Sequence, residues 1–208
     1  VIERRIEQFG LRIAPGTDFE VVNPEFDPRY RDYWMEYYRL TERKGVSQQY
    51  AKIEMRRRLT LIGAMMMHRG DADGMLCGTF GTHALHLQYI DQVLGKRQGS
   101  RVYAAMNAVM LPGRTVFIAD TYVNADPTAE EIADITLLAA EEVRRFGITP
   151  KVALLSHSSF GSSEHPQAKK MQYALALIND EDHGVPAAVD HDRHSIFGSY
   201  LWNSDRVD

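Results

Sequence analysis

The sequence predicts an α/β fold built around a strand–helix–strand unit, and three observations carry that reading. Phe117-Ile118-Ala119 is an apolar run too short for a helix and is stopped by Asp120. From Thr128 to Phe146 apolar residues recur at steps of three and four. Val152-Ala153-Leu154-Leu155 is then an unbroken apolar run of the kind covered on both faces in a parallel sheet. Together they read as a βαβ crossover.

Local chemistry marks the bounds of these elements. Asn124 and Asp126 favour a turn, Pro127 suits the first helical turn, and Thr128 with Glu131 has capping-box spacing. Ile132, Ile135, Ala139, Val143 and Phe146 form the inward stripe. Acids crowd the first turn and arginines the last, matching the helix dipole, and Gly147 stands where a left-handed cap is wanted. Ser156 to Ser163 follows the second strand, ahead of a helix from Gln167 to Ile178 that Pro166 can open. In open α/β sheets ligands bind at such strand ends, and hydroxyls and backbone amides ahead of a helix suit a phosphate or carboxylate. A solvated Ser-rich turn that caps a helix fits the same residues.

With 208 residues the chain holds one domain or two small ones, at about 100 to 200 residues each. A net charge of -4 leaves no basic footprint for nucleic acid. The single cysteine, Cys77, excludes an internal disulfide, and no signal peptide, long apolar span or lipidation motif is present, so the cytoplasm is the expected compartment and no membrane is involved. The chain opens on Val1 with IERRIEQFGLRI, which reads as the end of a helix, and is expected to be a piece of something longer.

Toward the N-terminus, Val1 to Phe9 is a charged helix end closed by Gly10, and Phe19 to Val22 is a short strand candidate. From Arg31 to Arg43, Tyr33, Trp34, Tyr37, Tyr38 and Leu40 fall at helical spacing; without a basic surface, packing explains this stripe better than base stacking. Lys44-Gly45-Val46 breaks the helix and Ser47 caps the next, a long one from Gln48 to Arg69. Its Arg56-Arg57-Arg58 run reads as a solvated face and its methionines as adaptable core filling. Met75-Leu76-Cys77-Gly78 reads as a buried strand whose end, Thr79 to His83, precedes a helix from Ala84 to Leu94 and is a second candidate anion site. His83 and His86 have no nearby Cys or acidic partner at ligand spacing, so no metal is assigned to them. Tyr103 to Met110 and Thr115 to Ala119, joined by Pro112-Gly113, read as a hairpin.

Five stretches together resemble the phosphate acetyl/butyryltransferase domain, in the form fused to the C-terminus of hybrid NADP-dependent malic enzymes. They are NPEFDPRYRDYW (Asn23 to Trp34), RKGV (Arg43 to Val46), GDADGMLCG (Gly70 to Gly78), Ile118 to Ile148, and PKVALLSHSSFGSS (Pro150 to Ser163). The resemblance covers about Ile2 to Leu177. It implies a three-layer α/β/α fold with a mostly parallel sheet and two subdomains flanking a cleft, like the isocitrate and isopropylmalate dehydrogenases, here incomplete at both ends. The first subdomain is expected at 1–125, part of the second at 126–178, and a tail unlike the family at 179–208.

Free-standing members of that family move an acyl group between CoA and phosphate. The fused branch implies instead a regulatory domain that binds acetyl-CoA as an allosteric inhibitor of the malic-enzyme half, with no catalytic residue of its own. Thr79, Thr82 and His83 would form one wall of the ligand site and Ser156, Ser158, Ser159, Gly161 and Ser162 the other, with no metal. NADP and a divalent metal would belong only to the malic-enzyme domain, and the expected partners are acetyl-CoA or a related acyl-CoA, that domain, and further copies of the chain. The position matched to the family's phosphate-binding arginine is Gln88, which lacks both the charge and the guanidinium fork. The closing acidic Gly-Glu, Asn-Val-Leu and Ser-Arg motifs of active members are not found.

Other chemistries are weaker. No G-x-S-x-G elbow supports a serine hydrolase, and no G-x-G-x-x-G fingerprint supports dinucleotide binding. His183, His191 and His194 with Asp190 and Asp192 show no fixed ligand spacing and read as polar, unstructured sequence.

Overall fold

The computed structural model describes residues 1–78, 80–156, 163–180, 187–189 and 198–202. The chain divides into two compact units, Val1–Gly95 and Lys96–Asp208. No helix among the described residues is long and apolar enough to cross a membrane.

The first unit is helical. A short helix α1 (Ile2–Gln8) is followed by α2 (Tyr30–Thr41), α3 (Gln48–Arg57), α4 (Leu59–Arg69) and α5 (His83–Val93). The aromatic stripe packs as predicted: Tyr33 and Tyr37 of α2 are buried with Met55 of α3, Leu61 and Met65 of α4, and Tyr89 of α5. Their hydroxyls still find partners, Tyr33 donating to Asp71 Oδ2 at 2.6 Å and Tyr37 to Gln92 Oε1 at 2.8 Å. Gly45, at φ 88°, ends the turn after α2, and the Ser47 hydroxyl accepts from the Tyr50 amide to start α3.

Three expectations fail in this unit. The long helix from Gln48 to Arg69 is two helices, because Arg58 leaves the helical region (φ −112°, ψ 95°) and serves as the N-cap of α4. The segment changes there from a charged helix to an apolar one, and the bend lets α4 bury Leu61, Ala64 and Met65. Met75 to Gly78 is not a strand: it has no ladder partner among the described residues, and Leu76 and Cys77 are exposed. Phe19 to Val22 likewise makes one isolated bridge, Pro15 to Phe19, rather than a strand.

The second unit holds the sheet. A hairpin of β1 (Met106–Leu111) and β2 (Arg114–Ala119) forms as predicted, followed by α6 (Ala129–Arg145), β3 (Lys151–Leu155), α7 (Pro166–Asp180), β4 (Ala187–Val189) and β5 (Gly198–Trp202). Strand order is β1-β2-β5-β3-β4. The predicted mostly parallel sheet is therefore a mixed one: β3 with β4 is parallel, and the pairings β1–β2, β2–β5 and β5–β3 are antiparallel. The crossover direction survives, since β2 and β3 both oppose β5 and so run the same way, but β5 separates them.

The Thr128 capping box is complete, with the Thr128 hydroxyl accepting from the Glu131 amide at 3.2 Å and Glu131 Oε2 accepting from the Thr128 amide at 2.8 Å. Ile132, Ile135, Ala139 and Val143 of α6 share a core with Phe117 and Ala119 of β2, Val152 and Leu154 of β3, and Ala174 and Ile178 of α7. Phe146, read as the end of that stripe, is largely exposed, with its ring centroid 5.8 Å from that of Phe117. Gly147 closes the helix at φ 74°.

Candidate functional site

Within the first unit, the bend at Arg58 and the loop after α4 border a half-open cavity of about 760 Å³. Arg57, Arg58 and Thr60 come from the α3–α4 junction, His86 and Tyr89 from α5, and Leu76 from the loop. Gly63 of α4 lets the loop approach closely, since a Cβ there would overlap the Met75 sulfur. On the wall, Thr60 Oγ1 and His86 Nδ1 are hydrogen-bonded at 2.6 Å. Gly81 lies beside Nε2 of the same ring: a Cβ on that glycine would fall 3.4 Å from the nitrogen.

Behind that wall lies a second polar network. Buried Glu54 accepts a hydrogen bond from the Tyr89 hydroxyl and one from Arg58 Nε, the latter at 3.3 Å. Burial first, and then the hydrogen bond to Glu54, push the Tyr89 phenol well above its ordinary range, so Tyr89 acts as a donor and not as a base. No carboxylate lines the cavity among the described residues, while two arginines do.

In the second unit, the strand ends converge on the sheet. Ala119 of β2 and Leu154 of β3 both pair with Ser199, so Asp120 and Ser156 leave the sheet at the same end. Asp120 ties this end together: Oδ1 accepts from the Ala105 amide at 2.8 Å and the Val123 amide at 3.3 Å, and Oδ2 from the Asn124 amide at 2.7 Å and its side-chain amide at 2.6 Å. Burial opposes the charge, but the backbone amides of Ala105 and Asn124 outweigh it and hold the carboxyl below the usual aspartate range. Asn124 Nδ2 also donates to the Tyr103 carbonyl at 2.7 Å. A recess of about 440 Å³ adjoins these residues at the starts of α6 and α7, where Lys170 pairs with Asp126 at 2.6 Å.

The sequence-predicted site residues divide unevenly over this geometry. Thr82 is the N-cap of α5, its hydroxyl accepting from the Leu85 amide, and His83 is the exposed first residue of that helix. Both lie within two residues of Gly81, which lines the first-unit cavity, though neither lines it itself. Ser156 is half-buried at the end of β3. Thr79, Ser158, Ser159, Gly161 and Ser162 lie outside the described residues, as do His183, Asp190, His191, Asp192 and His194. No group of three or more His, Cys, Asp or Glu among the described residues is placed to hold a metal.

Sequence reasoning passed over Arg57, Thr60 and Asp120 as ligand or hub residues, and placed His86 in a pair with His83 instead of with Thr60. No local signal marked them, because the partners of Thr60 and Asp120 lie on other segments of the chain.

The family model for phosphate acetyl/butaryl transferases matches residues 1–190. An NADP-dependent malic enzyme of Escherichia coli is 53% identical over 180 residues, which are 86% of this chain and 24% of that protein. An NAD-dependent malic enzyme of Rhizobium meliloti is 47% identical, over 86% of this chain and 23% of that protein. A phosphate acetyltransferase of Nitratidesulfovibrio vulgaris is 32% identical, over 82% of this chain and 25% of that protein. The chain thus spans about a quarter of the length of these curated relatives. Solved phosphotransacetylases from Staphylococcus aureus and Streptococcus pyogenes share the fold, with TM-scores of 0.76 and 0.78 at 20% and 24% identity, each over 92% of this chain and 57% of theirs.

Proposed function

The chain belongs to the phosphate acetyl/butaryl transferase family, and from that premise we propose that it is the regulatory domain of a malic enzyme, binding acetyl-CoA as an allosteric inhibitor without chemistry of its own. One observation carries the reading: identity to malic enzymes reaches 53%, against 32% to phosphate acetyltransferases. Gln88 supports it. This exposed residue of α5 stands where the resemblance calls for a phosphate-binding arginine, and a sensor needs anion contacts but no group that stabilises a transition state. On this reading NADP and a divalent metal are used by the malic-enzyme portion, the assembly is a homo-oligomer, and the compartment is the cytoplasm.

Calorimetric titration of the chain with acetyl-CoA tests the proposal, with free CoA and acetyl phosphate as comparators. It is paired with malate oxidation by the full-length enzyme at rising acetyl-CoA. Binding with inhibition and no acetyl phosphate formation is the expected result. Inhibition that is absent despite binding would refute the regulatory role.

A second reading, an active phosphate acyltransferase, is favoured by the 32% identity to phosphate acetyltransferases. Acetyl phosphate formed from acetyl-CoA and phosphate at a rate proportional to added chain would establish it in place of the first.

A further inference from the structure

Arg56, Arg57 and Arg58 are consecutive, yet the fold sends them three ways. Arg56 places its guanidinium carbon 5.0 Å from the centre of the Tyr30 ring. Arg58 is committed to Glu54 at 3.3 Å. Arg57, the last residue of α3, lines the cavity and has no ion-pair or hydrogen-bond partner among the described residues. Arg56 and Arg57, successive residues of α3, point to faces about 100° apart, and Arg58 leaves the helical region.

The surroundings suit an anion with an apolar arm. No carboxylate lines the cavity to compete for Arg57, and the nearest buried one, Glu54, is already engaged by Tyr89 and Arg58. Leu59, Met75 and Leu76 supply apolar wall, and Leu59 and Leu76 are exposed. His86, its Nδ1 held by Thr60, keeps Nε2 for a polar group. A volume of about 760 Å³ lies in the size range of small-molecule sites.

Resting on acetyl-CoA as the effector, we propose that this cavity takes the phosphate-bearing part of CoA: Arg57 holds a phosphate through its guanidinium fork, and the apolar wall receives the adjoining arm. The site belongs to the first unit alone and does not use the Ser156 strand end.

The test is calorimetry on the whole chain and its Arg57→Gln and Arg57→Lys variants, with acetyl-CoA, S-acetylpantetheine, which lacks phosphate, and inorganic phosphate. Arg57 is exposed, so the variants are expected to keep the parent circular dichroism and Tm. Arg57→Gln is expected to weaken acetyl-CoA binding roughly 10- to 100-fold, the usual loss for one hydrogen-bonded charge. Arg57→Lys should recover part of that, and S-acetylpantetheine should not distinguish the three proteins. Equal acetyl-CoA affinity in parent and Arg57→Gln would overturn the assignment of the cavity while leaving the regulatory reading intact. Failure of the parent chain to bind acetyl-CoA would overturn both, and phosphate binding without acetyl-CoA binding would replace CoA by a free anion as the ligand.

Discussion

Replacing Asp120 by Asn keeps the size of the side chain and removes its charge, and the structure sets the cost. Oδ2 accepts two hydrogen bonds from Asn124 at 2.6 and 2.7 Å, and Oδ1 accepts from Ala105 at 2.8 Å. An amide can keep one acceptor atom, so one side must lose its bonds and face a donor instead. Losing two charge-assisted bonds and leaving a half-buried amide unsatisfied amounts to about 3 to 5 kcal/mol, reduced by about a third because a partly buried charge no longer has to be desolvated. A net loss of about 2 to 3 kcal/mol at pH 7 is expected, read from urea unfolding of parent and variant. The dependence on pH follows from the depressed pKa. The carboxylate's contribution is full above the unfolded aspartate value and falls away as pH drops through the lower folded one, so the gap between the two proteins should narrow below about pH 4. A difference under about 0.5 kcal/mol at pH 7, or one that is flat between pH 7 and pH 3, would refute the assignment of Asp120 as a charged hub.

Thr128→Ala should cost about 1 kcal/mol by removing the cap of α6, and a double-mutant cycle with Glu131→Ala should show that the two losses are coupled. Leu154→Ala opens the core between β3 and the α6–α7 pair, where Leu154 is fully buried, and should cost about 2 to 5 kcal/mol in denaturant unfolding. Gly63→Ala should gain up to about 1 kcal/mol of helix propensity and lose a similar amount in displacing the Met75 side chain, leaving Tm almost unchanged; a loss above about 2 kcal/mol would mean that Met75 is held rigidly in place.

What could be read from the sequence was local. The α6 capping box, the Ser47 cap and the Pro112-Gly113 hairpin each depend on residues a few positions apart, and the structure has all three. The break at Arg58 was not legible, since arginine is a good helix former and the reason for bending is the burial of α4 on partners elsewhere in the chain. The same limit hid the cavity. His86 looked like half of a histidine pair with His83, whereas its hydrogen-bond partner is Thr60, on another helix. Asp120 and Asn124 read as a strand stop and a turn former, and nothing nearby announces that their acceptors and donors reach back to Tyr103 and Ala105. The Met75 to Gly78 run shows the converse, an apolar stretch with strand composition and no described strand to pair with.

The placement of β5 between β2 and β3 sets an order of assembly. The β1–β2 hairpin closes a short loop and can form early, but β2 and β3 have no direct pairing and wait for residues far downstream to bridge them. During synthesis, therefore, β2 and β3 each present an open edge until the residues of β5 emerge. Through that interval both edges can capture a strand from another nascent chain, which makes slow or stalled translation ahead of residue 198 the moment at which this unit is most exposed to misassembly.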